Sequence, residues 1–201
     1  MYEAKARFFD AQATADWADK EYGSEEAAKL ARLLSLLPKV RNAVLLEPGC
    51  GTGRLSAFLA RAVGPAGAIT AMDISAAMTS RARARLAGFP NVEVLTASLE
   101  HCPLPEKAYD AAVCHQVFPH LEDKSRALQI MFRALKSGGR LLLTHFINRA
   151  QVNDVHRKAG TAVEHDLLPG ETEMIDLLES AGFKVLSLKD DDQGYFLTAQ
   201  R

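Results

Sequence analysis

Cysteine is scarce in this chain: three residues in 201, Cys50, Cys102 and Cys114, with no C-x-x-C spacing and an odd one over. That excludes a disulfide framework and a thiolate metal site, and points to a reducing compartment. An excess of charge is missing too, since Lys plus Arg number 24 against 25 Asp plus Glu, for a net charge of -1. With no basic field to draw in phosphate backbones, no nucleic-acid partner is expected. No stretch approaches the ~18 consecutive apolar residues that span a bilayer. Met1 to Asp10 carries Glu3, Lys5, Arg7 and Asp10, which leaves no room for the apolar part of a signal peptide. The expected location is cytoplasmic, with no membrane partner.

What is present is an ordinary soluble composition, 48 % hydrophobic and 24 % charged, on the scale of one domain. Residues 1–40 read as a helical lid or added layer. Ala27, Leu30, Ala31, Leu33 and Leu34 keep helical spacing, Ser24 is placed as N-cap, and Pro38 closes the run. Phe8, Phe9 and Trp17 precede that helix and glue it to the body. Residues 41–201 form the second region, the main body, within a single domain overall.

In that region short apolar runs alternate with helical segments. Ala43 to Leu46 precedes a helix over Leu55 to Val63, Ala68 to Met72 precedes one over Ala76 to Leu86, and Val92 to Leu95 leads into a proline-punctuated connection. Ala111 to Cys114 is followed by a helix over Ala127 to Leu135 that Gly138-Gly139 stops, and then by Leu141 to Thr144. Repeated β-α units predict parallel strands and a doubly wound α/β sheet. Asn148 to Pro169 reads as a polar segment. A helix through Met174, Leu177, Leu178 and Ala181 follows it, and Lys184 to Leu188 and Tyr195 to Ala199 flank Asp190 to Gly194 as an antiparallel hairpin.

The most informative stretch is Glu47-Pro48-Gly49-Cys50-Gly51-Thr52-Gly53-Arg54, where the first strand turns into its helix. Alternate glycines let a ligand touch backbone, and free N–H groups at a helix start favour an anionic group. Asp73 closes the second strand twenty residues beyond Gly53 and is placed to accept both ribose hydroxyls. These features specify a nucleoside cofactor. A dinucleotide fingerprint would want glycine at 54, where Arg54 stands, which counts against a nicotinamide-dependent oxidoreductase.

At these residues the sequence resembles the class I S-adenosylmethionine-dependent methyltransferases, of the compact small-molecule type related to ubiquinone/menaquinone-biosynthesis methyltransferases, from about Phe8 to the end of the chain. The resemblance implies a Rossmann-like, mostly parallel seven-stranded sheet in the order 3-2-1-4-5-7-6, with S-adenosyl-L-methionine as cofactor. It makes Glu47, Gly49, Cys50, Gly51 and Gly53 the loop facing the methionine part. Asp73 becomes the ribose ligand, with Met72 and Ile74 beside the adenine. Ser98 and Leu99 stand where the family usually has Asp-Ala against the adenine amino group, a departure that weakens that contact. Val117-Phe118-Pro119-His120 and Lys136-Ser137-Gly138-Gly139-Arg140 complete the match.

Methyl transfer from a sulfonium is an in-line displacement, so the protein aligns a nucleophile and, for O–H acceptors, takes its proton. His115, His120 and His145 are all expected at the carboxyl edge of the sheet and are the candidate catalytic residues, His115 also reaching the cofactor. His156, His165, Asn153 and Asp166 follow in the polar segment expected to fold back over the pocket. A metal held by His120, His145 and His156 is chemically allowed, but their irregular spacing matches no ligand motif and none is assigned. After the fourth strand Cys114-His115-Gln116-Val117 replaces the Asn/Asp-Pro-Pro-aromatic motif of base-amine and glutamine methylation, leaving a small-molecule acceptor. A non-catalytic protein that binds the cofactor as sensor or partner subunit would carry the same binding residues.

Overall fold

Strand β4 (Tyr109–His115) is buried along its whole length, because it lies at the centre of a sheet covered on both faces; this explains a continuous apolar run in place of alternation. Its neighbours are β1 (Val44–Pro48) on one side and β5 (Leu135–His145) on the other, both parallel to it. The sheet continues outward through β2 (Ala68–Asp73) and β3 (Val92–Thr96). At the other edge, β7 (Gly194–Gln200) and β6 (Lys184–Asp191) pair antiparallel. The order is β3-β2-β1-β4-β5-β7-β6, as expected. The computed structural model describes residues 2–201, apart from the side chain of Tyr2.

Helices α1 (Tyr2–Gln12), α2 (Asp16–Asp19) and α3 (Ser24–Ser35) precede the sheet. Helices α4 (Arg54–Val63), α5 (Ala76–Arg85), α6 (Lys124–Ala134), α7 (Arg149–Lys158) and α8 (Glu171–Ser180) connect or flank its strands. One core, on the α3 and α4 face, gathers Leu30, Leu33, Leu45, Leu59, Val113 and Leu142; the other, on the α6 and α8 face, gathers Leu46, Leu128, Met131, Leu143 and Leu178. Leu45 and Leu46 going to different cores is the period-two alternation of a strand covered on both sides. Each fully buried aliphatic side chain of this kind contributes about 1.5 to 3 kcal/mol.

Several local expectations are corrected. Gly23, not Ser24, caps α3, and its N–H donates to the Glu26 carboxylate at 2.8 Å. Helix α6 already ends at Ala134, and Gly138-Gly139 lie within β5, beside the register shift between Tyr109 and Ala111. The polar stretch after β5 contains α7, which Asn148 caps by accepting the Gln151 N–H at 3.0 Å. The hairpin strand β6 runs on to Asp191, so the three aspartates are not all turn. No helix of the described residues is long and apolar enough to cross a membrane.

Candidate functional site

The strand order reverses at the β1/β4 boundary, and there the chain leaves β1 into the glycine loop. The loop residues Gly49 and Gly51 have φ of +69° and +54°, a region side-chain-bearing residues rarely enter. A Cβ at Gly49 would stand 2.2 Å from Val117 Cγ2, so that glycine serves packing against the segment after β4. A Cβ at Gly51 would meet nothing within 4 Å. That open space above backbone is what a ligand needs for close approach. Asp73, the last residue of β2, accepts the Gly51 N–H through Oδ2 and the Ser75 N–H through Oδ1, each at 2.9 Å. Its remaining lone pairs border the main cavity, and burial raises its pKa from the ordinary 3.8.

A recess of about 80 Å³ opens beside the loop, lined by Glu47, Cys50, Gly51, Arg54, Tyr22 and His115 among others. Cys50 is buried there, and Gly53 caps α4. Three residues lining the recess carry a buried polar atom without a partner: Glu47 Oε2, Arg54 Nε and His115 Nε2. Burial pushes the Glu47 carboxyl up to about 8, and the Asp73 carboxylate adds to the shift. The Arg54 guanidinium stacks 4.3 Å from the Tyr22 ring and donates to the Trp17 carbonyl, fastening α2 over the recess. A ligand bearing both an ammonium and a nucleoside fits this donor set: an unpaired acidic oxygen, a bare loop backbone and a carboxylate at the end of β2.

The expected cluster of three histidines is divided by the sheet. In β4, His115 keeps the phase of Ala111 and Val113, whereas in β5, His145 keeps the phase of Leu141 and Leu143, and these sets enter different cores. His115 therefore belongs to the recess, with Nδ1 bonded to Thr144 Oγ1 at 3.0 Å and its ring beside Phe146 and Tyr22. Burial, with the Arg54 cation, lowers its pKa to about 3, so it stays neutral. His120 and His145 do share one space, a cavity of about 520 Å³ that also reaches Asp73, Gly51 and Ile74.

The cavity is covered by the N-terminal helices through Lys5, Phe8, Phe9, Gln12 and Trp17, and by α7 through Val152, Val155 and His156. His145, at the end of β5, is 4 % exposed with Nε2 unpartnered; burial holds its pKa well below 6.5. His120 ends a 3-10 turn (Phe118–His120) and its Nδ1 lies 2.7 Å from Asp166 Oδ2. Its pKa is also lowered from 6.5, burial outweighing the carboxylate. His165 is exposed, with its side chain 91 % accessible.

Ser98 does not line the cavity, while Leu99 and Glu100 do. The Ser98 hydroxyl donates to Glu100 Oε2 at 2.8 Å, and Glu100 Oε1 accepts the Glu122 N–H at 3.0 Å. Sequence reasoning passed over Glu100, Lys5 and Gln116. The last lines both spaces with φ of +58°, a strained backbone for a non-glycine residue. Only Glu100 carried a local signal, as an acid two positions from the expected adenine contact.

Residues 46–143 match the methyltransferase domain family. Over 138 residues the chain is 33 % identical to the ubiquinone/menaquinone biosynthesis C-methyltransferase UbiE of Cronobacter sakazakii, covering 67 % of this chain and 54 % of that protein. The chain thus spans about half the length of the curated relatives it matches. Among solved structures, an S-adenosylmethionine-dependent methyltransferase from Aquifex aeolicus superposes with a TM-score of 0.73 at 20 % identity, over 97 % of both chains. Another from Mesorhizobium loti gives 0.70 at 19 % identity, over 89 % of this chain and 99 % of that one. With the glycine loop, the acid ending β2 and the strand order already in place, these matches show that the chain belongs to the class I S-adenosylmethionine-dependent methyltransferase family.

Proposed function

We propose that this chain transfers a methyl group from S-adenosylmethionine to a small, largely apolar acceptor lying between the N-terminal helices and the carboxyl edge of the sheet. The observation that carries this reading is the continuity of the 520 Å³ cavity, which joins Asp73 and the glycine loop to His120 and His145. Asp73 would hold the ribose diol, Met72, Ile74 and Leu99 the faces of the adenine, and Glu47 with the Gly51 backbone the methionine head. When bound, the cofactor supplies an electrophilic sulfonium methyl group. His120 and His145 orient the acceptor, and whichever neutral ring nitrogen reaches its O–H or N–H takes the proton. The apolar walls exclude water and favour an aligned encounter. Residues 1–40 act as the lid of a catalytic region over 41–201, and the protein works in the cytoplasm.

Titration calorimetry with S-adenosylmethionine, S-adenosylhomocysteine and NAD tests the first step: both sulfur nucleosides bind and NAD does not. Incubation with methyl-labelled S-adenosylmethionine and a panel of small hydroxyl, thiol and amine compounds then separates an enzyme from a cofactor-binding sensor. Tighter binding of NAD would overturn the reading.

A further inference from the structure

Lys5 and Asp166 are far apart in the chain, yet they meet at 2.9 Å with side chains only 7 % and 15 % accessible. Burying such a pair costs several kcal/mol per ion in desolvation, and a pair of apolar side chains would often be as stable. Its arrangement therefore calls for a use. Asp166 divides its carboxylate, Oδ1 taking the Lys5 ammonium and Oδ2 the His120 Nδ1 at 2.7 Å. Lys5 also donates to the His120 carbonyl at 2.8 Å. The ring is thus gripped at one nitrogen and its backbone at the adjoining carbonyl.

The loop that carries Asp166 is itself fixed. Asn153, buried on α7, donates to the Leu168 carbonyl at 3.1 Å and accepts the Leu168 N–H at 2.7 Å. The His156 ring bonds to the Asp166 carbonyl and lies 4.6 Å from the His120 ring. Phe9 of α1 meets His120 edge-on at 5.0 Å. With Nδ1 committed to the carboxylate and the ring on the cavity wall, Nε2 is the atom left for an acceptor.

We infer that Asp166 and Lys5 are positioning residues for His120: the carboxylate selects the Nδ1–H form and presents the Nε2 lone pair to the acceptor, and Lys5 completes that arrangement only while α1 covers the cavity. The inference rests on the methyl-transfer reading for its use. A proton taken by Nε2 leaves an imidazolium whose Nδ1–H faces a carboxylate, which is the charge the pair is placed to balance. The charged and titratable groups around the ring are Lys5 on α1, Asp166 on the loop, His156 on α7 and His145 on β5, with Lys124 of α6 near Asp166.

The test reads the ring directly in the whole, ligand-free protein. Long-range nitrogen–proton spectra of the 15N-labelled chain, with His120 assigned by a His120→Gln variant, are expected to show a single Nδ1–H tautomer at pH 8. Asp166→Asn should lower the His120 pKa by about 1 unit. Lys5→Met should raise it, by removing a cation, and Lys5→Arg should restore it. An Nε2–H tautomer in the wild type, or a His120 titration unmoved by Asp166→Asn, would overturn the proposal. An unmoved titration in Lys5→Met would remove Lys5 from it. Through-bond correlation of the ring with the assigned His120 backbone gives the same assignment without a variant, so the wild-type tautomer is readable whichever variants fold. Because these spectra need no cofactor, their failure is separable from failure of the calorimetric test of methyl transfer.

Discussion

Asp73 Oδ2 accepts the backbone N–H of Gly51 at 2.9 Å, so the acid ending β2 and the loop ending β1 are one mechanical unit. Asp73→Ala therefore removes both the proposed ribose ligand and the strut that shapes the loop. Each charge-assisted bond is worth about 1.5 to 3 kcal/mol before coupling, and the dissociation constant for S-adenosylhomocysteine should rise at least ~10-fold. Asp73→Asn keeps an acceptor for Gly51 and should fall between the two. Calorimetry decides, and an unchanged affinity would place the ribose elsewhere.

Glu47, whose pKa lies near 8 in the ligand-free protein, is mostly protonated at pH 7. A ligand ammonium favours the ionised form, so cofactor binding at pH 7 should release a proton. Calorimetry in buffers of different ionisation enthalpy measures that release. Affinity should climb as pH rises from 6 to about 8 and then level off, and Glu47→Gln should abolish both effects. The same raised pKa predicts that the free protein loses stability as pH rises from the ordinary 4.5 towards 8, because the unfolded carboxyl ionises first. Thermal melts should show Glu47→Gln losing less between pH 6 and 8.5 than the wild type.

The hydroxyl of Ser98 is spent on Glu100. Ser98→Ala should cost about 1 to 2 kcal/mol of stability, by leaving a buried carboxylate oxygen without that donor, and barely alter cofactor affinity. Urea denaturation beside a binding titration separates the two. A large loss of affinity with unchanged stability would return Ser98 to the cofactor site.

Trp17 is the sole tryptophan of the sequence, 54 % exposed at the cavity mouth. A ligand that fills the cavity should cover its ring and shift its fluorescence to shorter wavelength. Arg54→Met removes the bond from Arg54 to the Trp17 carbonyl and should shrink that shift by loosening α2. A shift of equal size in the variant would show that α2 is held by other contacts.

His120→Ala and His145→Ala should leave cofactor affinity nearly intact and lower turnover by the ~10² to 10⁴ of a lost acid or base. Burial holds both rings neutral down to and below their ordinary 6.5. Turnover of an O–H acceptor should therefore stay level from pH 7 to 9 and fall only on the acid side. Full activity in both variants across that range would exclude them as the base.

The strand order was implied by the family resemblance; the sequence by itself determined the alternation of strands and helices, the loop over Glu47 to Gly53 and the acid, Asp73, that closes the next strand. Those features depend on local backbone needs and on a β-α repeat written at fixed spacing, so they can be read without contacts. Only the tertiary structure decided how the histidines are shared. One residue of phase in β4 against β5 sends His115 to the recess and His145 to the cavity, and strand ends cannot be phased from a short apolar run alone. The union of Lys5, His120 and Asp166 was equally out of reach. Residue 5 meets residue 166 only after α1 has folded over the sheet edge and Asn153 has fixed the loop beyond α7, contacts that no local pattern encodes.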